Sequence, residues 1–538
     1  MNKLNFTYII LLFVLFTSCD EEFVEKQNPN APTGDAYIFN RQDAEKALAA
    51  AYSKLQSTGL YANKYLGLVS SKSDLFYGAP DKPWYSDIAT FTRTAAEEEG
   101  NEYTFINMYQ GIWRANQVIG RLADFDFGPS SSVDVNGNEI SYEKLFIAEA
   151  TFLKGFYYFE ALNYYGKIIP KDVLPSTTDD FYDEFIPTKT EAYAYIANLF
   201  ETAAADLPIS NVNGRVTRGT ALAYLGKLNL YWAAEDQSKY ADALTAFEEV
   251  LRPEYGYALT TDWMDNFTEV NEYNSESIFE IGFLVTDEGL GSSWKPDDDD
   301  DTQRDESNSQ EQIFGPLPGH IVGGAPHAGW AEGFPSRKLL DMFEPGDPRR
   351  KMGIISPGDT IWQNYILGMH EAATDIQDAR NNIFAKWLRA NENDHGSLRD
   401  SEINRRVMRL ADVYLMYAEC LMKENRGAEA VEYINRVRRR VGAAPGNADF
   451  PELATNITTD SIYKAIIHER AVELFFEGQR FYDLMRWSKD PNVPTDPMAI
   501  VKTAHPLFQE NKHEVAPIPQ RELDTNSQLS NADQNPGY

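Results

Sequence analysis

Apolar and small residues recur at intervals of four and then three positions in three separate parts of the chain, and this spacing restricts the fold more than any other feature. The three sets are Ile196, Phe200 and Ala203; Ala243, Phe247 and Val250; and Ala430, Ile434 and Val437. Residues spaced in this way share one face of an α-helix. In tetratricopeptide helix pairs, small residues let the partner helix approach while larger ones fill the groove. The pattern predicts a mostly α fold with a tetratricopeptide-like scaffold of helix pairs, although plain amphipathic helices in an all-α domain would show the same spacing.

The helical pattern is interrupted by one long segment. Apolar periodicity runs through residues 41–259 and returns over 401–490, whereas 260–400 is rich in Gly and Pro and has poor periodicity. Because a structureless loop of that length is improbable in a compact domain, we expect 260–400 to be a large irregular insertion of loops, short strands and short helices. Residues 491–538, rich in Pro and Asn, are expected to wrap back over the surface. We predict that all of these segments form a single domain, 41–538.

The amino terminus has the layout of a bacterial lipoprotein signal. Lys3 supplies a positive charge, and the eleven residues Phe6–Phe16 are mostly apolar but too few to span a bilayer, which needs about 20. Small residues then lead to Cys19, whose thiol would accept lipid once cleavage made it the first residue. We therefore predict a signal peptide over 1–18, lipidation of Cys19 and a polar tether over 19–40. An ordinary signal peptide with an incidental cysteine is the alternative.

The charge balance and the cysteine content exclude several classes of protein. The chain has 49 Lys and Arg against 82 Asp and Glu, a net charge of −33. Such a field repels phosphate backbones, so we expect no nucleic-acid partner. The two cysteines, Cys19 and Cys420, are too few for a disulfide framework or a multi-thiolate metal site. With Cys19 lipidated, Cys420 is predicted to be a buried, inert thiol.

The residue patterns do not point to catalysis, a metal or a cofactor. His468-Glu469 resembles the start of a zinc-protease motif, but that motif needs a second His where Val472 stands. Glu469, Glu473 and Glu477 would share one helix face, and several arginines are available as counter-ions. We therefore interpret the three carboxylates as an ion-pair network between packed helices rather than as an active site.

Aromatic residues outside the helical repeats are the candidates for ligand binding. Tyr77, Trp84 and Tyr85 lie in a polar segment with Gly and Pro, and Trp294 and Trp330 lie in the irregular insertion. Aromatic rings beside polar groups suit a sugar, which has a flat apolar face and a hydroxyl edge, and loops on a rigid scaffold often carry such sites. Each of these rings is, by itself, also a common core or loop anchor. The tryptophans in periodic or strand-like stretches are assigned to the core: Trp113, Trp232, Trp387 and Trp487.

Several segments match, in order, a family of bacterial surface proteins. The clearest is IIHERAVELFFEGQRFYDLMRW at 466–487; others are RLADVYLMYAEC at 409–420, INRVRRRVG at 434–442, AEATFLKGFYYFEALNYYGKIIP at 148–170, and the closing APIPQREL and QNPGY. On these motifs the chain resembles the SusD/RagB-like nutrient-binding outer-membrane lipoproteins of Bacteroidetes. Cys19 followed by Asp-Glu-Glu is similar to the family's lipidation site and its signal for surface export.

The resemblance implies a lipid-anchored protein on the outer membrane, facing the cell exterior. It implies capture of an oligo- or polysaccharide and its delivery, as a lid, to a SusC-type TonB-dependent transporter, with the insertion as the ligand face. It implies no enzymatic activity, no cofactor and no motif-encoded ligand residue. A neutral glycan is favoured, because a net charge of −33 opposes polyanions. Two other functions stay open: a lipid-anchored glycoside hydrolase, and a peptide-binding or assembly-directed tetratricopeptide scaffold.

Overall fold

The computed structural model describes residues 38–63, 65–78, 83–96, 98–172, 174, 182–285, 307–324, 329–362, 365–375, 377–388 and 401–538. The predicted signal peptide, Cys19 and residues 19–37 of the predicted tether lie outside these ranges. Within them there are seventeen α-helices. They are α1 (Arg41–Ser53), α2 (Tyr65–Ser71), α3 (Pro83–Ala89), α4 (Tyr103–Leu122), α5 (Tyr142–Tyr165), α6 (Lys189–Asp206), α7 (Arg218–Trp232), α8 (Lys239–Val250), α9 (Gln310–Phe314), α10 (Arg337–Met342), α11 (Arg349–Gly353), α12 (Leu410–Lys423), α13 (Gly427–Arg440), α14 (Thr459–Glu473), α15 (Arg480–Trp487), α16 (Pro497–Ala504) and α17 (Gln520–Thr525).

The strands are short, and in the described ranges they form antiparallel pairs. They are β1 (Phe76–Gly78), β2 (Pro129–Val133), β3 (Glu139–Ser141), β4 (Ser277–Ile281), β5 (Gly333–Pro335), β6 (Ile354–Ile355), β7 (Thr360–Ile361), β8 (Tyr365–Ile366), β9 (Ile383–Phe384) and β10 (Arg405–Arg409). The pairs are β1 with β5, β2 with β3, β4 with β10, β6 with β9 and β7 with β8. Helices therefore dominate, which confirms the predicted fold class.

The main helices pack as a continuous series. Each of α4 to α7 packs on the next helix, α8 then packs on α12, and α12 packs on α13 and α14. All nine residues of the three sets with tetratricopeptide-like spacing are fully buried. The close approach is clear at Gly226 of α7, where an added Cβ would lie 2.5 Å from the ring of Phe247 in α8. A small residue against an aromatic ring is the arrangement predicted for these helix pairs.

Local sequence signals set several helix ends as expected. Asn40 accepts the backbone N–H of Asp43 at 3.1 Å and so caps α1. Thr188 and Glu191 form a capping box at the start of α6. Gly166 ends α5 with a φ of 74°, a left-handed conformation that glycine adopts without strain.

The insertion is closed at its base by the pair β4–β10. These strands lie at its two ends, and Ile281 stands opposite Arg405. This pairing explains how α8 and α12 can be neighbours although the insertion separates them in sequence. The described part of the insertion has short helices and strands, as predicted, and a small core of its own. That core consists of Ile321, Ile361, Trp362, Leu367, Ile383 and Leu388.

Most residues assigned to the core are buried, with one exception. Buried as predicted are Trp232, Trp387, Trp487 and Cys420. Burial also raises the pKa of the Cys420 thiol. The assignment of Trp113 to the core is wrong, because its side chain is 47% exposed. The buried face of α4 runs through Met108, Ile112 and Ala115, and the position next to Ile112 points away from that face.

The C-terminal segment lies against α5 and the segment before α4. The side-chain amide of Asn101 donates to the carbonyl of Pro517 at 2.9 Å. The side-chain amide of Asn535 donates to the carbonyls of Tyr165 and Ala516 at 2.8 and 2.6 Å. These bonds to the backbone hold the segment in place although it has little regular structure of its own.

Candidate functional site

Two segments that carry predicted ligand residues meet at the strand pair β1–β5. Tyr77, in the middle of β1, stands opposite Phe334 of β5, and Trp330 precedes β5 by three residues. Tyr77 is half-buried and packs on the cluster formed by Ala331 and Phe334. α3, which contains Trp84, packs on β1. The structure thus brings together the two segments on which the sequence-based site depends.

Tyr85 does not belong to this surface, and its prediction as a ligand residue is wrong. Its side chain is 2% exposed and lies in the main core. The ring contacts those of Phe76 and Phe314, with centroids 6.4 and 5.4 Å away. It also fills the space beside Gly67, where an added Cβ would lie 2.2 Å from a ring carbon. The cause is the helical conformation of α3, which turns Tyr85 and Ile88 together into the core.

Of the three other predicted ligand residues, one has a described environment and two do not. Trp330 is half-buried and packs against the main core, and its backbone N–H donates to the carbonyl of Gln312 at 2.6 Å. It therefore anchors its loop while part of the residue reaches solvent. The side chain of Trp84 and the whole of Trp294 lie outside the described residues, so both stay predictions.

A buried carboxylate ties the strand pair to the helical scaffold. Asp74, just before β1, accepts hydrogen bonds from Nε and Nη2 of Arg480 at 2.9 and 3.1 Å and pairs with Lys338 at 2.7 Å. Burial by itself would raise the pKa of Asp74, but the two cations lower it to about 2. Ser336, directly after β5, donates its hydroxyl to the carbonyl of Asp74 at 2.8 Å. Asp74 therefore holds both strands of the candidate site against the start of α15.

The three glutamates around the end of α14 form a buried ion-pair network, as predicted. Glu473 accepts from Arg349, Arg409 and Arg440 at 2.9, 2.9 and 2.5 Å. Burial would raise the pKa of Glu473, but the surrounding cations lower it. Glu469 and Glu477 are each held by two cations, one of which is shared with Glu473. Those cations are Arg349 and Arg438 for Glu469, and Lys386 and Arg409 for Glu477. The network joins α11, β10, α13 and α14, which is a structural role.

A concavity that the sequence analysis did not predict lies between the loops that follow α6 and α8. Its volume is about 290 Å³, near the lower limit of ordinary ligand pockets. The rings of Tyr255 and Tyr257 are parallel to within 5°, with centroids 6.4 Å apart, and Tyr273 also lines the space. Amide and hydroxyl groups lie beside them: Ser210, Asn211, Asn213 and Ser275. The sequence feature that could have indicated this concavity is the pair of tyrosines on either side of Gly256. In the structure Gly256 has a φ of 68°, as expected for a turn glycine. We call this surface the tyrosine concavity.

In the part of the chain that the structure describes, His, Cys, Asp and Glu do not gather in groups of three that could hold a metal ion. Among the helices described, none is both long enough and apolar enough to cross a membrane.

Comparison with known proteins gives consistent matches along the chain. The SusD family model matches residues 275–538. SusD-like protein P2 of Formosa agariphila is 24% identical over 100% of both chains, and SusD-like protein P25 of the same organism is 26% identical over 99% of this chain and 98% of its own.

Solved structures share the fold over almost the whole length. A SusD homolog from Bacteroides thetaiotaomicron superposes with a TM-score of 0.74 at 24% identity, covering 94% of this chain and 98% of its own. A laminarin-binding SusD-like protein superposes with a TM-score of 0.69 at 26% identity, covering 93% of this chain and 100% of its own.

Proposed function

Because this chain is a member of the SusD/RagB-like family, we propose that it is a surface glycan-binding lipoprotein. It holds an oligo- or polysaccharide and delivers it, as a lid, to a SusC-type TonB-dependent transporter in the outer membrane. Lipid on Cys19 anchors it, after removal of a signal peptide over 1–18. The observation that supports glycan binding most directly is the likeness to the laminarin-binding protein, since it combines 26% identity with a shared fold over 93% of the chain.

The proposed binding surface is the strand pair β1–β5 with the loops around it. Tyr77 and Trp330 are half-buried there, so each ring is held by packing on one side while part of the residue reaches solvent. Trp84, in α3, and Trp294, in the insertion, complete the proposed set. Rings fixed in this way stack on the apolar face of a sugar, and neighbouring polar groups bind its hydroxyls. Asp74 and Arg480 keep the surface rigid, which reduces the entropy lost on binding.

We propose binding without bond cleavage. Hydrolysis of a glycoside generally needs two carboxyl groups about 5–9.5 Å apart beside the sugar, one of them with a raised pKa. Glu469, Glu473 and Glu477 are engaged by arginine and lysine in the scaffold. For Glu473 the pKa is lowered, the opposite of what a general acid requires.

Binding of the purified protein to laminarin, followed by a panel of neutral glycans, tests the proposal. Isothermal titration calorimetry should show saturable binding, and a reducing-sugar assay should show no release of ends. Trp84→Ala and Trp294→Ala should each weaken binding at least about fivefold, since a stacked ring contributes about 1 kcal/mol or more. Trp113→Ala is the matched control, because this exposed tryptophan lies on α4 outside the proposed surface.

The alternatives give different results in the same experiments. Release of reducing ends would make the protein a glycoside hydrolase. If Trp84→Ala and Trp294→Ala bind normally while Tyr257→Ala does not, the glycan site is the tyrosine concavity and the β1–β5 assignment is wrong. Failure to bind any glycan in the panel, with a peptide or periplasmic protein bound instead, would favour the scaffold function.

The proposed partner and anchor have their own test. Mild detergent extraction of surface-labelled cells should recover the protein together with a TonB-dependent transporter. Cys19→Ala should release it from the membrane fraction and abolish palmitate labelling. Continued membrane retention of Cys19→Ala would contradict the lipid anchor.

A further inference from the structure

A buried arginine lines a cavity beside the ion-pair network. Arg405, at the start of β10, is 3% exposed, and its guanidinium carbon lies 3.9 Å from the centre of the Trp387 ring. Its Nε, Nη1 and Nη2 atoms are all buried and have no hydrogen-bond partner among the residues that the structure describes. Burial strongly lowers the pKa of this guanidinium. A buried cation is stable only when its charge and its donors are matched, so this group calls for an additional ligand.

The stacking on Trp387 determines how such a ligand can approach. An aromatic ring covers one face of the guanidinium plane but leaves its N–H groups, which point outward in that plane, able to donate. The cavity that Arg405 lines has a volume of about 40 Å³ and is also lined by Tyr61, Asn163 and Tyr231. The hydroxyl of Tyr231 is likewise buried and unpaired in the described part of the chain. The cavity has space for about three water-sized occupants, which is too small for a sugar ring.

The charged groups around the cavity leave Arg405 without an ion pair among the described residues. Besides Arg405, two cations line it, Arg406 and Lys227, and the two carboxylates are Glu160 and Glu477. Glu477 is already shared by Lys386 and Arg409, at 2.7 and 2.8 Å.

The other charged groups do not pair with Arg405. Glu160 accepts a hydrogen bond from the hydroxyl of Tyr65 at 2.6 Å, and burial raises its pKa, which favours the neutral acid. Arg406 lies 3.4 Å from Glu280, and Lys227 lies 3.5 Å from Asp412, so both of these cations have partners. Glu477 attracts Arg405 from beyond ion-pair distance, so Arg405 is left without an ion pair among the described residues.

We propose that this cavity binds a small inorganic anion, a halide such as chloride, on the N–H groups of Arg405. Water can accept those hydrogen bonds but does not neutralise the charge, whereas a monovalent anion does both. The bound anion would link β10, at the base of the insertion, to the loop Gly478–Gln479 before α15 and to α5, which also line the cavity. It is therefore a structural ligand, separate from the glycan surface.

Thermal unfolding of the purified protein in different sodium salts at one ionic strength tests the site. Chloride and bromide should raise the melting temperature saturably over gluconate, which is too large for the cavity. At 100 times the dissociation constant the rise should be about 2–3 °C for a chain of this length. Crystals grown in bromide should show an anomalous peak within hydrogen-bonding distance of the Arg405 nitrogens.

Variants at Arg405 complete the experiment. Arg405→Met, which keeps a long side chain but removes the charge, should lose the halide dependence, and its melting temperature in gluconate should equal or exceed that of the unmodified protein. Arg405→Lys serves if the Met variant does not fold, and it should shift the halide concentration at half-saturation at least about threefold. Arg252→Met is the control, because this arginine side chain is 57% exposed, and its halide response should be unchanged.

Three results would overturn the proposal. One is an identical melting temperature in all three salts. Another is the absence of an anomalous peak at Arg405, with only water there, in the crystals grown in bromide. The third is an unchanged halide response in Arg405→Met.

Discussion

Replacing Asp74 by Asn should destabilise the protein in a way that depends on pH. The pKa of Asp74 is lowered from its ordinary 3.8 to about 2, since Arg480 and Lys338 outweigh the effect of burial. A tenfold change in a protonation constant corresponds to about 1.4 kcal/mol, so the ionised carboxylate stabilises the fold by about 2 kcal/mol at neutral pH. Asp74→Asn also leaves Arg480 buried with only part of its hydrogen bonds, and breaking a buried pair costs about 3–5 kcal/mol. We expect a total loss in that range at pH 7.

The sign of the pH dependence follows from the lowered pKa. A carboxylate whose pKa is lower in the folded state stabilises fully above about pH 4, and this stabilisation is lost as the pH falls towards 2. The difference in free energy of unfolding between the unmodified protein and Asp74→Asn should therefore shrink by about 2 kcal/mol between pH 5 and pH 2. At the acid end the protonated Asp74 and the introduced Asn become electrostatically alike.

Urea unfolding followed by tryptophan fluorescence, at a series of pH values, measures this difference. Asp242→Asn is the matched control, because the Asp242 side chain is 54% exposed and pairs with Lys239 on the surface. Its effect should stay within about 0.5 kcal/mol at every pH. A loss below about 1 kcal/mol for Asp74→Asn at pH 7, or a difference that does not change with pH, would refute the role of Asp74 as an ion-paired anchor.

Three further perturbations test the scaffold. Glu473→Gln removes the negative charge that three buried arginines share, and it should lower the free energy of unfolding by about 3–5 kcal/mol, measured by urea unfolding. An unchanged unfolding midpoint would contradict the network. Gly111→Ala places a Cβ 2.4 Å from the ring of Tyr157 and should lower the free energy of unfolding by about 1–3 kcal/mol. An unaffected melting temperature would show that α4 and α5 can move apart without loss of stability. The Cys420 thiol is buried with a raised pKa, so its modification by a thiol reagent should proceed only as fast as unfolding; rapid labelling of the native protein would show an open path to α12.

The helical scaffold could be predicted because its signals are local. Spacing of apolar residues depends only on the helical repeat, so the nine residues of the three sets are all buried as predicted. Capping by Asn40 and Thr188 depends on neighbours within one turn. The carboxylates at 469, 473 and 477 were interpretable because neighbouring acidic residues require counter-ions, although α14 ends at Glu473 and Glu477 lies in the turn that follows rather than on the same helix face.

The candidate site was less predictable, since its geometry depends on long-range contacts. Tyr77 and Tyr85 come from the same polar segment, yet one is half-buried at β1 and the other lies in the core, because α3 packs on β1 and turns Tyr85 inward. Trp113 lies in a helix as expected but on its exposed face, which composition alone did not reveal. The tyrosine concavity is formed by loops that meet only in the folded chain.

The amino-acid sequence was enough to indicate most of the helices, the faces that they bury and the charges that must pair, together with a family resemblance carried by ordered motifs. The folded chain was needed to show that positions 77 and 334 stand opposite each other, that Asp74 meets Arg480, and that Arg405 is buried beside Trp387 without a hydrogen-bond partner in the described chain. The difference lies in the range of the interactions. Helical periodicity and capping act over one or two turns, whereas strand pairing and burial of a side chain depend on residues hundreds of positions away.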